Sequence, residues 1–273
     1  MPELPEVETV RRSLEPKIKN RVIRSVRILL PRLVKYPTPQ IFQQSIQNLA
    51  INAISRKGKY LLTELSDEKT LVIHLGMSGR LLLVDSHTTF PKHTHITFHL
   101  DNNQILCFID PRTFGRIALL NTSDYSPLPG LYHLGIDPLS KAFSKSNIVT
   151  LFKSNRPIKA FLMDQSKIAG LGNIYVDECL FRAGIHPLKH VSQLKAEQID
   201  LLCKTIPNVL TTAIRMKGTT VYTFVDDEEK SGKFQKFLKV YGKTGEPCVN
   251  CGSPVNKITL AGRSTHFCPV CQK

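Results

Sequence analysis

The chain ends in CVNC, sixteen intervening residues and then CPVC, so Cys248, Cys251, Cys268 and Cys271 stand as two C-x₂-C pairs. Each pair sets two thiolates on one tight turn, and two such turns close a tetrahedron around a soft divalent ion. No other feature constrains the fold as tightly, because sulfurs far apart in sequence must meet at one point. One zinc is the first choice and an iron cluster the weaker alternative. Four thiolates fill the coordination sphere, so the metal is expected to be structural. The segment between the pairs, NKITLAGRSTHF, reads as a β-hairpin carrying Lys257, Arg263 and His266. Arg263 follows Gly262, a plausible tight turn, where a guanidinium at a finger tip suits a phosphate or a base. Lys257 and His266 read equally well as solvated hairpin charges.

The remaining cysteines, Cys107, Cys179 and Cys203, are scattered, and the total of seven is odd. Together with an acidic, polar start that has no apolar core, this argues against a disulfide framework and against an export signal. Buried thiols are expected instead. No stretch approaches the roughly 18 apolar residues of a membrane span. Lys and Arg number 37 against 22 Asp and Glu, a net charge of +15. Single-sign charge on this scale exceeds what solubility needs and fits a polyanion, nucleic acid first.

Residues 5–18 read as a helix, with Pro5 at its first position, Glu6 and Glu8 at its positive end, and Val7, Val10, Leu14 and Ile18 on one stripe. VIRSVRILL follows with a strand period. TPQIFQQSIQNL (38–49) reads as a second helix capped by Thr38. From 50 to 120 come short β runs (AINAIS, YLLTEL, TLVIHLG, GRLLLV, HITFHL, QILCFI, RIALL), the spacing of a sandwich or barrel. The Pro- and Gly-rich 126–140 is the linker candidate. Helical periods return in SNIVTLF, RPIKAFLMDQ, NIYVDECLFRAG and SQLKAEQIDLLCKTIPNVLTTAIRM, where Pro207 is expected to kink or split the last. Residues 217–235 are polar and read as a loop. The expected plan is α+β: an N-terminal helix plus a two-layer β-sandwich (1–130), a linker (131–140), a helical domain (141–235) and a C-terminal zinc-finger hairpin (236–273). A cleft between two such lobes is a common place for an active site.

Several short stretches carry chemistry-bearing groups. The chain opens MPELPEVE, and removal of Met1 would turn Pro2 into a secondary amine with Glu3 beside it. AGLGN places two glycines and Asn173 before a helix, a weak signal for a phosphate seat. Lys159 lies on the preceding amphipathic segment and otherwise reads as a surface lysine. KGKY holds Lys57 and Lys59 around Gly58, HLGMSGR puts Met77 in a Gly-flanked turn, and DPRTFGR carries Arg112 and Phe114. A thioether, a guanidinium and a ring on loop tips are groups that can wedge into a base stack. Any one of them alone reads more simply as a loop anchor.

MPELPEVE, GKYLL, HLGMSGR, DPRTFGR, LMDQ, GLGNIYVDE, VYGKTGEPC, AGRSTHFC and the paired cysteines occur in this order from residue 1 to 273. In these motifs the chain resembles bacterial formamidopyrimidine-DNA glycosylases. The resemblance implies a helix–two-turn–helix domain between sandwich and zinc finger, and a bifunctional glycosylase/AP lyase. Such an enzyme removes 8-oxoguanine and formamidopyrimidines from damaged double-stranded DNA and cuts the abasic strand through a Schiff base. It implies Pro2 as nucleophile, Glu3 as acid/base, Lys59 as proton donor for β-elimination and Arg263 for δ-elimination. DNA contacts are implied at His93, Arg112, Lys159, Asn173, Tyr241 and Lys257. Met77, Arg112 and Phe114 would fill the space left by the extruded base, and 217–235 would cover it. A monomer in the bacterial cytoplasm, associated with the nucleoid, is expected. An α-amine titrates about 2–3 units below lysine, so a usable fraction is neutral near neutral pH.

The chain departs from the pattern in three places: Thr113 where a second basic residue is expected, the acidic run 226–229 in the covering loop, and Pro207. Two other readings stay open. One is an endonuclease VIII-like glycosylase for oxidised pyrimidines, disfavoured by Leu4 where that sister family usually has Gly. The other is a catalytically silent zinc-ribbon DNA-binding protein, for which Pro2, Glu3 and Lys59 together would be coincidence.

Overall fold

The structure, a computed structural model, describes residues 1–219 and 232–273. They form two compact units, Met1–His133 with Met216–Lys233, and Leu134–Arg215 with Phe234–Lys273.

The first unit starts with α1 (Leu4–Ile18). Its stripe of Val7, Val10, Leu14 and Ile18 is at most 2% exposed. Burying a side chain of this size contributes roughly 1.5–3 kcal/mol. Nine strands follow: β1 (Val22–Ile28), β2 (Val34–Tyr36), β3 (Leu49–Lys57), β4 (Tyr60–Leu65), β5 (Lys69–His74), β6 (Arg80–Asp85), β7 (Thr94–Leu100), β8 (Gln104–Ile109) and β9 (Arg116–Asn121). The helix α2 (Pro39–Ser45) interrupts them after β2, and the single turn α3 (Pro129–Tyr132) comes after β9. Hydrogen bonds run through all nine in the order β2-β9-β5-β4-β3-β1-β7-β8-β6. Only Val22↔Ala50 and Ile23↔Leu49 join β1 to β3. The sheet is therefore two halves sharing a narrow seam. Ile54, Leu61 and Ile73 of one half and Val26, Phe98 and Phe108 of the other meet in one core, closed by Val10 of α1 and Phe42 of α2. This is the two-layer arrangement expected.

All seven β runs read from the sequence are strands. The sequence reading lacked the 3₁₀ turn Pro31–Leu33 and β2, which lies parallel to β9. Three residues are too few to show a period. The helix α2 also ends at Ser45, short of the expected 49, because Asn48 turns to φ +62° and Leu49 enters β3. Its cap is as expected, with Ile41 N–H donating to Thr38 Oγ1 at 3.4 Å. Between β3 and β4, Lys57 pairs with Tyr60, leaving Gly58 and Lys59 as a two-residue turn. Gly58 has φ +58°, the positive value that strand twist asks of the first residue in such a turn.

The second unit holds α4 (Lys145–Leu151), α5 (Ile158–Leu162), α6 (Asn173–Arg182), α7 (Ala196–Arg215) and the hairpin β10 (Asn256–Leu260) with β11 (Arg263–Phe267). The helix α6 packs on α5, α7 and β11. Pro207 does not split α7, which runs unbroken for 20 residues. Proline removes one donor from the ladder, but Ile206, Val209, Leu210 and Ile214 stay buried around it and hold the helix. Of the expected loop 217–235, residues 220–231, with the acidic run 226–229, lie outside the described residues. Among the described residues no helix is long and apolar enough to cross a membrane.

Candidate functional site

In the first unit the chemistry gathers around the start of α1. Pro2 and Glu3 are buried, and Glu3 is the helix N-cap. Glu3 N–H donates to Glu6 Oε2 at 2.8 Å, while Glu6 Oε1 accepts Thr219 N–H at 2.8 Å. The 1%-exposed Glu6 thus ties the helix start to residue 219. One turn on, Glu8 Oε2 accepts from Arg56 Nε at 3.3 Å, and Arg56 Nη1 donates to Gly58 O at 2.9 Å. That chain of bonds fixes the Gly58–Lys59 turn against α1, and Lys59 is 8% exposed. The Met1 α-amine is held below its ordinary value, first by burial; Glu3 and Glu6 oppose this, while Lys59 and Arg112 add to it. Lys59 and Arg112 are thus both close enough to act on the chain's first amine.

Two loops bring the wedge candidates together. Phe114 is 53% exposed, and the Arg112 guanidinium lies 5.2 Å from its ring centre. Met77 is half-buried in the turn after β5. Gly76, at φ +62°, lies so close to Phe114 and Gly115 that a Cβ would fall 2.6 Å from their backbones. Asp110, fully buried, donates its own N–H to His93 O at 3.1 Å. His93 is exposed, with φ +67°. At Thr113, where a second basic residue was expected, Arg32 Nη2 donates to the threonine Oγ1 at 2.6 Å. A guanidinium from another element therefore stands at that turn.

Behind these loops, His74 Nδ1 accepts Gly76 N–H at 3.1 Å, and its ring lies 4.8 Å from that of Tyr60. Burial, then Lys59 and Arg116, push His74 down to about 4 from an ordinary 6.5. Protonation would destroy the acceptor. Between pH 6.5 and 4 the unfolded chain binds a proton that the folded chain refuses, so stability falls as pH drops through that window. Denaturant unfolding of His74→Gln at several pH values should show a flatter profile there than the parent; an unchanged slope would assign the acid sensitivity elsewhere.

In the second unit α6 is the organiser. Asn173 opens it after Gly172, as the sequence implied, and the buried Asn173 Oδ1 has no hydrogen-bond partner among the described residues. One turn later, fully buried Asp177 accepts Lys159 Nζ at 2.7 Å, His266 N–H at 2.9 Å and contacts His266 Nδ1 at 3.2 Å. Lys159 Nζ also donates to Ser264 O at 2.8 Å. This corrects the surface reading of Lys159. At 1% exposure its ammonium is buried and holds β11. The adjacent Glu178 accepts the N–H groups of Lys239, Val240 and Tyr241 at 2.9–3.0 Å and pairs with Arg182. Tyr241 then sits edge-on to His266, 5.0 Å between ring centres. Arg263 begins β11 after the turn Ala261–Gly262, both at positive φ, and is exposed, as is Lys257.

The four cysteine sulfurs lie within 4.8 Å of one another, with Cys248–Cys271 at 3.9 Å and Cys251–Cys268 at 3.5 Å. Zinc–sulfur bonds of about 2.3 Å in a tetrahedron require edges near ~3.8 Å. The donor set therefore fits one structural zinc with no open position. Cys107 and Cys179 are buried as expected, and Cys203 is half-buried.

The sequence reading missed the carboxylates that place these groups: Glu6, Asp110, Asp177 and Glu178. A signal for the last two exists. They sit side by side in the apolar run NIYVDECLF, where a charge needs a buried partner.

Family models match along the chain: the formamidopyrimidine-DNA glycosylase N-terminal domain over residues 1–117, the corresponding H2TH domain over 134–225, and the zinc finger found in FPG and IleRS over 245–273. The formamidopyrimidine-DNA glycosylase of Desulforamulus reducens is 44% identical over 275 residues, covering 100% of this chain and 99% of its own. That of Listeria innocua is 40% identical over the whole of both chains. Among solved structures, a Lactococcus lactis Fpg mutant bound to Fapy-dG-containing DNA superposes over 100% of both chains, with TM-score 0.92 and 41% identity. The same species' Fpg bound to abasic-site DNA gives 0.92 and 41% over 99% of both chains, and its complex with DNA containing an oxidised pyrimidine gives 0.91 and 41% over the whole of both.

Proposed function

The chain belongs to the formamidopyrimidine-DNA glycosylase family, and on that footing we propose that it excises 8-oxoguanine and formamidopyrimidines from duplex DNA and cuts the resulting abasic strand. The observation that carries this reading is the start of α1, where Pro2 and Glu3 are buried, Glu3 caps the helix, and Glu8 and Arg56 fix the Gly58–Lys59 turn against it. With Met1 removed, the Pro2 nitrogen attacks the anomeric carbon of the damaged nucleotide, and the base departs with its bonding electron pair. Glu3 exchanges the proton on the opening sugar. A secondary amine yields an iminium that stays cationic without a proton, so it remains an electron sink. That sink acidifies the neighbouring sugar carbon, and β-elimination expels the 3′ phosphate. Lys59 is the proton donor linked to that step. Arg263 on the finger tip grips phosphate and serves the second, δ-elimination. An α-amine titrates about 2–3 units below lysine, so a usable fraction is neutral and can attack.

His93, Arg112, Lys159, Asn173, Tyr241 and Lys257 bind DNA in this reading, and Met77, Arg112 and Phe114 fill the vacated space. Lys159 also holds the hairpin. The protein works as a monomer on nucleoid DNA in the cytoplasm. A second substrate class, oxidised pyrimidines, is favoured by the Lactococcus lactis complex with such DNA.

The test uses duplexes carrying one 8-oxoguanine, one oxidised pyrimidine, one abasic site or no damage. Release of the purine with strand cutting is expected, with affinity falling steeply as salt rises, because phosphate contacts release counterions. Tight binding with no cleavage of any duplex would leave the silent zinc-ribbon DNA binder.

A further inference from the structure

Asp110 has no part in the chemistry above, yet it is fully buried and its side chain is shared between two loops. Its Oδ1 accepts the Ser78 hydroxyl at 2.6 Å, and Ser78 belongs to the turn that carries Met77. Its Oδ2 accepts Gly115 N–H at 2.7 Å, and Gly115 closes the turn that carries Arg112 and Phe114. Arg112 N–H is within 3.2 Å of Ser78 Oγ and 3.3 Å of Asp110 Oδ1, so it donates into the same junction. The backbone contributes as well, since Thr113 N–H donates to Asp110 O at 3.1 Å and His95 Nε2 lies 3.0 Å from that oxygen. No room is left for slack. A Cβ on Gly115 would fall 2.4 Å from the Phe108 ring, and one on Gly79 would fall 2.3 Å from Leu75 O.

We propose that Asp110 is a positioning residue whose carboxylate clamps the Met77 turn to the Arg112–Phe114 turn, making the two tips one rigid wedge for the base stack. This rests on the reading of the protein as a base-extruding glycosylase. The physical reason is entropic as much as geometric. Opening a base step costs a few kcal/mol. Two independent loops would add the cost of ordering each tip as it enters. Tips already joined by a buried, charge-assisted bond arrive ordered and in register. Ser78 is the half of the clamp that can be removed while the buried carboxylate stays, because its hydroxyl donates to Asp110 and accepts from Arg112 N–H across the loops.

Ser78→Ala, Ser78→Thr and Asp110→Asn are compared with the parent in two single-turnover assays at saturating protein. One follows excision of 8-oxoguanine from a duplex; the other follows cutting at an abasic site in single-stranded DNA, where there is no stack to enter. Ser78→Ala and Asp110→Asn should slow duplex excision by roughly tenfold or more, on the scale expected of a misplaced reacting group. Both should leave the single-strand reaction unchanged. Ser78→Thr, which keeps the hydroxyl, should recover most of the duplex rate. Unchanged duplex excision in both variants overturns the clamp, and so does equal slowing in the two assays, which marks a general loss of structure. A parent protein that cuts neither substrate removes the glycosylase reading and the clamp together, a failure visible before any variant is made.

Discussion

Replacing Pro2 with glycine should cost roughly a thousandfold in borohydride-trapped covalent complex on 8-oxoguanine duplex, while duplex affinity stays close to the parent's. The reasoning is electronic and conformational. The proline nitrogen gives an iminium with no proton to lose, so its electron sink is permanent. A glycine imine is neutral until protonated. The pyrrolidine ring also fixes the direction of attack, whereas glycine at that position swings freely. Binding should survive, because α1 is capped by Glu3 and Glu6 and not by residue 2. Intact mass of the untagged protein must first establish that Met1 is absent. A band of parental intensity in Pro2→Gly would transfer the nucleophile's role to another amine, with Lys59 the first suspect. Loss of both band and binding would mean that Pro2 serves structure rather than chemistry.

Stripping the metal with a chelator should lower duplex affinity by roughly a hundredfold at fixed salt and leave the first unit folded. The four sulfurs close the base of β10 and β11, and a bound metal would tie those two turns directly to each other. Arg263 and Lys257 ride on that hairpin, so their charges leave their places together. Cutting at an abasic site under saturating protein should keep its Schiff-base step, since Pro2, Glu3 and Lys59 belong to the first unit. Readdition of zinc should restore affinity and magnesium should not, because thiolates select the softer ion. A stripped protein that binds DNA as tightly as the loaded one would show that the finger contributes no contact. Loss of trapping at saturation would show a role in the chemistry that a closed four-thiolate site does not predict.

The fold was legible where the pattern was long. Seven strands, α1 and the hairpin of the finger carry clear periods or unmistakable ligands, and each was found in place. Pieces of three residues, such as β2, carry no period and were invisible. The parts of the site with their own local signature were legible too: the Gly58–Lys59 turn, the glycines before Asn173, the cysteine pairs. The carboxylates that aim them were not, because their partners come from remote segments. Asp177 meets Lys159 and His266 across gaps of 18 and 89 residues. Glu6 meets Thr219 across 213. The burial of Lys159 was hidden for the same reason, since an amphipathic stretch reveals nothing of a buried acid waiting for its ammonium. Pro207 leaves α7 unsplit because tertiary burial on both sides of the missing donor holds the helix together.

The helix α6 has a consequence for how this gene can vary. Asn173, Asp177 and Glu178 project from fixed angular positions on ten residues, and each faces a different client: the open buried acceptor site, the Lys159–β11 cluster and the 239–241 backbone. Removing one codon early in that stretch rotates everything after it by about 100°. Asp177 and Glu178 would then leave their clients in a single event, and two buried carboxylates would face apolar walls. Substitutions in α6 are felt one client at a time, whereas in-frame deletions there are all or nothing. The gene should therefore tolerate spelling changes in these ten codons far better than changes in their number.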